Sequence, residues 1–157
     1  PKPVLKKVNL NQIISRALQL YELSETEINF ALIKIKSSNY IDGDEEQLHR
    51  VFINLIKNSV ESICDKRNKN VDFKGKISVD IRADNDYIYV AIVDNGVGFE
   101  RVDKTKMITP YFTTKKKGTG LGLAVVTKII SDHQSLIEFN SIANGAKVEI
   151  TIPRYYG

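Results

Sequence analysis

A mixed α/β sandwich is the fold class this sequence predicts, and three observations predict it. Segments with helical spacing of apolar residues are interspersed with segments of period two along the 157 residues. Two pairs of strand-like segments are joined by short turn signals, Asp84-Asn85-Asp86 and Asn144-Gly145. Hairpins mixed with helices in this way argue against a purely parallel, doubly wound sheet. The length suits one domain, 1–157.

The elements follow in order. Leu10, Ile13, Ile14, Ala17 and Leu18 recur at helical spacing between Asn9 and Leu20, with Asn9 or Asn11 as the cap. Ile28–Lys36 alternates near its end as a half-buried strand does, and Asp42-Gly43-Asp44 punctuates the chain. A long helix is expected from Asp44 to about Cys64, started by the capping-box pair Asp44 and Gln47. Leu48, Phe52, Leu55, Ile56, Ser59 and Ile63 form its apolar face; Gln47, Asn54, Asn58 and Glu61 form a polar stripe nearly opposite. Asp65–Lys74 reads as a charged turn. Lys76–Ala83 and Tyr87–Val93 read as a hairpin, the second strand so apolar that it belongs inside the sheet. The polar, lysine-bearing stretch from about 99 to 117 has the length of a functional lid. A helix over Leu121–Ser131 and strands over Leu136–Ser141 and Ala146–Ile152 complete the chain.

Composition narrows the function. With 42% hydrophobic and 27% charged residues the chain reads as soluble and globular, and no run approaches the ~18–20 apolar residues of a membrane span. The single cysteine, Cys64, excludes an internal disulfide and fits a cytoplasmic setting. A net charge of +4 could point to nucleic acid. The lysines are scattered apart from Lys115-Lys116-Lys117 and a few near Lys104, without an aromatic stacking pattern. Phosphate handling at one place, with no nucleic acid and no membrane contact, is the better reading.

Three elements carry chemistry. Asn54 and Asn58, four residues apart, present amides on one helical face, where a neutral carbonyl oxygen can ligate Mg²⁺ beside phosphates; a solvated face is the plainer alternative. Asp94-Asn95-Gly96-Val97-Gly98 follows a buried strand, so its carboxylate can accept from an exocyclic amine while the glycines admit a ring closely; a simple turn is the alternative. Gly118-Thr119-Gly120-Leu121-Gly122 opens a helix whose free N–H groups favour an anion; a structural glycine turn is the alternative, though it leaves the apolar Leu-Gly-Leu continuation unexplained. No Gly-Lys-Ser/Thr follows it, so it is not a Walker A loop.

In this order the elements resemble the signature of the histidine kinase, gyrase, Hsp90 and MutL superfamily. Asp44–Ser59 looks like its N box, Asp94–Phe99 its G1 box, Thr109–Lys115 its F box and Gly118–Leu123 its G2 box. The wording of the last two is similar to nitrogen-regulation-type sensor kinases. The resemblance implies a Bergerat-type fold: a mixed, mostly antiparallel five-stranded sheet with helices on one face. It implies ATP and Mg²⁺ as cofactors. Asp94 would contact the adenine amine, Gly96 and Gly98 would shape the base pocket, Asn58 would ligate the metal, and Asn54 and Lys115 would carry catalytic roles. Phe112 and Thr114 would support the lid, and Gly118, Thr119, Gly120, Leu121 and Gly122 the triphosphate.

The hydrolysing branch of the superfamily carries a glutamate where this chain has Asn54. An amide cannot act as general base towards water, which favours a kinase over an ATPase. No acceptor motif is present, since His49 and His133 read as structural. The phospho-acceptor and dimerisation helices are therefore expected before Pro1 in a longer parent, which could itself be anchored in the inner membrane, with a response regulator receiver domain as the further partner. A serine kinase of the same superfamily and a non-catalytic interaction module are the alternatives.

Overall fold

The computed structural model describes residues 1–35, 38–99 and 122–155. Its elements run β1 (Lys6–Asn9), α1 (Leu10–Ser24), β2 (Ile28–Lys34), β3 (Tyr40–Gly43), α2 (Glu45–Lys69), β4 (Gly75–Ala83), β5 (Tyr87–Asp94), α3 (Gly122–Asp132), β6 (Leu136–Ile142) and β7 (Gly145–Pro153). The main sheet has five strands in the order β2-β4-β5-β7-β6. Only β2–β4 is parallel; the other three pairings are antiparallel. The apolar run Tyr87–Asp94 occupies the centre of the sheet, as expected of a strand covered by neighbours on both edges.

Alternation along the strands defines two layers. Ile77, Val79 and Ile81 of β4, and Ile88, Val90 and Ile92 of β5, are buried towards the helices. Lys76, Arg82, Tyr87 and Tyr89 take the opposite, solvent-facing side. The helical layer supplies Leu10, Ile13 and Ile14 from α1, and Leu48, Phe52, Leu55, Ile56 and Ile63 from α2, all at most 2% exposed. The expected apolar face of α2 is therefore the buried one.

Local chemistry sets the helix boundaries. Asn9 caps α1, its side chain accepting from the Asn11 N–H at 3.1 Å. Asp44 caps α2, with Oδ1 accepting from the Gln47 N–H at 3.1 Å. The capping box is only half made, because Gln47 Nε2 donates to the Pro1 carbonyl instead of returning to residue 44. The Asp44 N–H donates to His133 Nε2 at 3.0 Å, and His133 Nδ1 lies 2.8 Å from the Ile129 carbonyl. One neutral tautomer satisfies both contacts, with the proton on Nδ1. His133 is thus a buried structural residue joining the end of α3 to the start of α2.

The second Asp44 oxygen accepts from the Val4 N–H at 2.9 Å. That bond first, then the one from Gln47, holds the Asp44 carboxyl below the ordinary carboxylate range. Its stabilisation is complete above the unfolded pKa of about 3.9 and is lost as pH falls through the lower folded value. Asp44→Ala is expected to cost about 1 kcal/mol at neutral pH in urea unfolding. Asp44→Asn keeps a capping oxygen, so it should spare neutral stability and flatten the loss below about pH 4.

Two segments depart from the sequence reading. Residues 65–69, expected as a charged turn, continue α2 to Lys69. No glycine or proline interrupts them, and Lys66, Arg67 and Lys69 suit the negative end of the helix dipole. Tyr40–Gly43, of which the sequence marks only Asp42-Gly43, as punctuation, forms a two-stranded ribbon with Lys6–Asn9. The turn after α3 carries Gln134 at φ 57°. The Ser135 N–H reaches the Ile130 carbonyl and the Gln134 N–H reaches that of Ser131, which is a Schellman ending with glutamine in the glycine position. Gln134→Gly should therefore raise stability by about 0.5–1 kcal/mol, read as a higher thermal midpoint.

Candidate functional site

α2 passes over the end of β5, and a cleft opens between them. It holds about 330 Å³ of empty space, part of it open to solvent. Leu55, Asn58, Ser59 and Ser62 line it from α2, Asp94 from the tip of β5, and Phe99 from the turn beyond. Leu123 of α3, Phe139 of β6, and Ala146 and Val148 of β7 complete the wall. The lining is mostly apolar with a few convergent polar groups, as a site for a planar organic ligand requires.

Asp94 is 5% exposed, and its Oδ1 accepts from the Gly96 N–H at 2.9 Å. Burying a carboxylate is costly unless something bonds it, so the turn amide fixes its position. Asn95 pins the same turn to the edge of β4. Its Oδ1 accepts from the Lys76 N–H at 2.8 Å, and its Nδ2 donates to the Lys74 carbonyl at 3.0 Å. Two residues of α2 hold the turn from the other side. Ser62 Oγ accepts from the Val97 N–H at 2.8 Å, and Lys66 Nζ donates to the Asn95 carbonyl at 3.0 Å. Asn54, Asn58, Ser62 and Lys66 are spaced four residues apart, so one stripe of α2 carries the amides and then the clamp.

The glycines serve close approach. A Cβ on Gly96 would run into Ser62, lying 2.6 Å from its backbone carbon. Gly98 has φ +74°, and a Cβ there would stand 2.6 Å from the Gly145 carbonyl oxygen. Phe99 then stacks edge-on against Phe139, with ring centres 6.2 Å apart. Cys64, half-buried, lies on the helix away from this cleft; burial first of all raises its thiol pKa, which suits an inert packing role.

Of the residues expected at the site, Asp94 and Asn58 meet in the cleft, with Gly96 and Gly98 shaping the turn beside it. Asn54 is half-buried one turn earlier on α2 and is not part of the cleft wall. Gly122 opens α3. Phe112, Thr114, Lys115, Gly118, Thr119, Gly120 and Leu121 lie outside the described residues, as does nearly all of the expected lid. Ser62, Lys66 and Gly145 were not singled out as site residues. The continuing i, i+4 series from Asn58 was the signal for the first two.

Fold and cleft together define the class of ATP-binding α/β sandwich domains. The chain belongs to the family described as histidine kinase-, DNA gyrase B-, and HSP90-like ATPases, whose model matches residues 43–156. It is 36% identical over 155 residues to sporulation kinase A of Bacillus subtilis, covering 96% of this chain and 24% of that protein. It is 30% identical to nitrogen regulation protein NtrY of Azorhizobium caulinodans, covering 97% of this chain and 20% of that one. The chain thus spans a quarter or less of these two relatives. Among solved structures, the catalytic domain of histidine kinase ThkA superposes with a TM-score of 0.82 at 27% identity, covering 96% of each chain. ThkA in complex with the response regulator TrrA gives a TM-score of 0.79 at 24% identity, covering 98% of this chain and 42% of that one. The expected five-stranded mixed sheet with helices on one face is the architecture observed.

Proposed function

We propose that this domain binds ATP with Mg²⁺ and delivers the γ-phosphoryl group to a histidine on a separate dimerisation segment, from which an aspartate of a response regulator receives it. The observation that carries the reading is the pairing of buried Asp94 at the tip of the central strand with Asn58 across one cleft. Asp94 accepts from the adenine amine, and Gly96 and Gly98 let the base lie against backbone. The kinase names of the relatives and the ThkA complex with a response regulator support the destination of the phosphate.

The polar residues present fit Mg²⁺ carried in on phosphates. Asn58 offers one neutral oxygen at the cleft, and the described residues include no cluster of acidic, histidine or cysteine side chains that would hold a metal unaided. Bound there, Mg²⁺ would neutralise phosphate charge. Asn58 would be its protein ligand, and Asn54 would sit near the phosphates as a hydrogen-bonding group. With an amide at 54, this position supplies no general base to water, so the phosphoryl group is kept for transfer. Lys115, Phe112 and Thr114 would act from the lid, and Gly118 to Gly122 on the phosphates. The domain would work in the cytoplasm.

Calorimetric titration with a non-hydrolysable ATP analogue tests the first half. Affinity in the ~µM–mM range that is strengthened by Mg²⁺ is expected. Folded protein that takes up no nucleotide would sink the reading. Radiolabel transfer from ATP to a dimerisation segment supplied in trans tests the second half; the domain alone should incorporate none.

A further inference from the structure

We propose that Ser62 is a specificity-determining residue of this cleft, its hydroxyl donating to ring nitrogen N1 of the adenine whose exocyclic amine is held by Asp94. The inference deepens the nucleotide-binding reading and rests on it. Ser62 and Asp94 line the same cleft. Ser62 Oγ accepts from the Val97 N–H at 2.8 Å, and Asp94 Oδ1 accepts from the Gly96 N–H at 2.9 Å. Side chains from a helix and a strand therefore hang on consecutive amides of one turn, which holds them side by side. Glycine at position 96 permits this, because a Cβ there would lie 2.7 Å from that of Ser62.

A serine hydroxyl has two lone pairs and one proton. The Val97 N–H takes up a lone pair, and the proton has no acceptor among the described residues. Ser62 does not bond back to its own helix as Thr127 does, whose hydroxyl donates to the Leu123 carbonyl at 2.8 Å. The cleft thus presents a carboxylate acceptor beside a hydroxyl donor. Adenine offers the complement: an N6 amine that donates next to an N1 that accepts. Guanine offers a carbonyl, which the Asp94 carboxylate opposes, beside an N–H, which the second lone pair of the hydroxyl can still accept. The carboxylate therefore discriminates against the guanine edge, while the hydroxyl proton discriminates against a ring that lacks the N1 acceptor.

Calorimetry with ADP, 1-deaza-ADP and GDP on the wild-type chain, Ser62→Ala and Ser62→Thr reads the contact. 1-Deaza-ADP has C–H in place of N1 and lacks only that acceptor. The wild-type chain should bind it about tenfold more weakly than ADP. Ser62→Ala also removes the partner of the Val97 N–H, a loss shared by every ligand, so the decisive quantity is the ratio of the two affinities. That ratio should fall to about one in Ser62→Ala and return in Ser62→Thr. A 1-deaza penalty undiminished in Ser62→Ala, or absent from the wild-type chain, overturns the role of Ser62 while leaving nucleotide binding intact. A folded wild-type chain that binds neither ADP nor GDP overturns both readings.

Discussion

Asp94→Asn is expected to keep the fold and weaken nucleotide binding by about 100-fold. The substitution is nearly isosteric. The Asn Oδ1 can still accept from the Gly96 N–H, the bond that orders the turn in the native chain. The amide NH₂ then replaces the second carboxylate oxygen and points a donor where an adenine amine would also donate. Losing a charged acceptor costs about 1.5–3 kcal/mol, and opposed donors add to it. Because the Asn95, Ser62 and Lys66 bonds to the same turn survive, the thermal midpoint should move little. Unchanged affinity in a folded variant would place the base elsewhere.

Much of this fold was legible because its signals are local. Asn9 and Asp44 start their helices through their own side chains, and the apolar face of α2 is spaced so that it can only face inwards. The central place of β5 follows from its unbroken apolar run. The ribbon β1–β3 was not legible. Each strand has four residues, and their partners stand more than thirty positions apart, so nothing in either segment announces the other. The extension of α2 failed for a different reason. Its last turns are charged on most sides, which resembles a loop until the dipole and the absence of a breaker are weighed.

The site divides in the same way. Asp94 and Asn58, which both line the cleft, stood out because a carboxylate after a buried strand and paired amides on a helix suit a chemical role. Ser62 and Lys66 did not, since their work is to hold a backbone turn that the sequence does not display. His133 read as structural, and its bonds to Asp44 and Ile129 give that reading its content. Gln134 adopts the left-handed backbone that glycine takes more readily, so glutamine there costs the turn energy without preventing its bonds.

Gly145→Ala should be the most destabilising small substitution in the site, costing about 3 kcal/mol or more and abolishing tight nucleotide binding together. Gly145 begins β7, where its neighbour Ala146 pairs with Asp94 in the sheet. A Cβ on Gly145 would run into the Asp94 carbonyl oxygen and stand 2.9 Å from its carbon and 3.0 Å from Asn95 Cα. All three atoms are backbone, and none can swing aside. Relief requires the tip of β5 to move away from β7, and the residue at that tip is Asp94. Gly43→Ala is the matched control. Its Cβ would meet Leu48 Cδ1 at 2.6 Å, the far end of a flexible side chain, well away from the cleft wall. Urea unfolding should therefore rank Gly145→Ala far below Gly43→Ala, and only the former should lose ADP under conditions where it remains folded. Equal costs for the two would mean that the strand end is compliant, and the tight packing of β7 against β5 would not be what fixes Asp94.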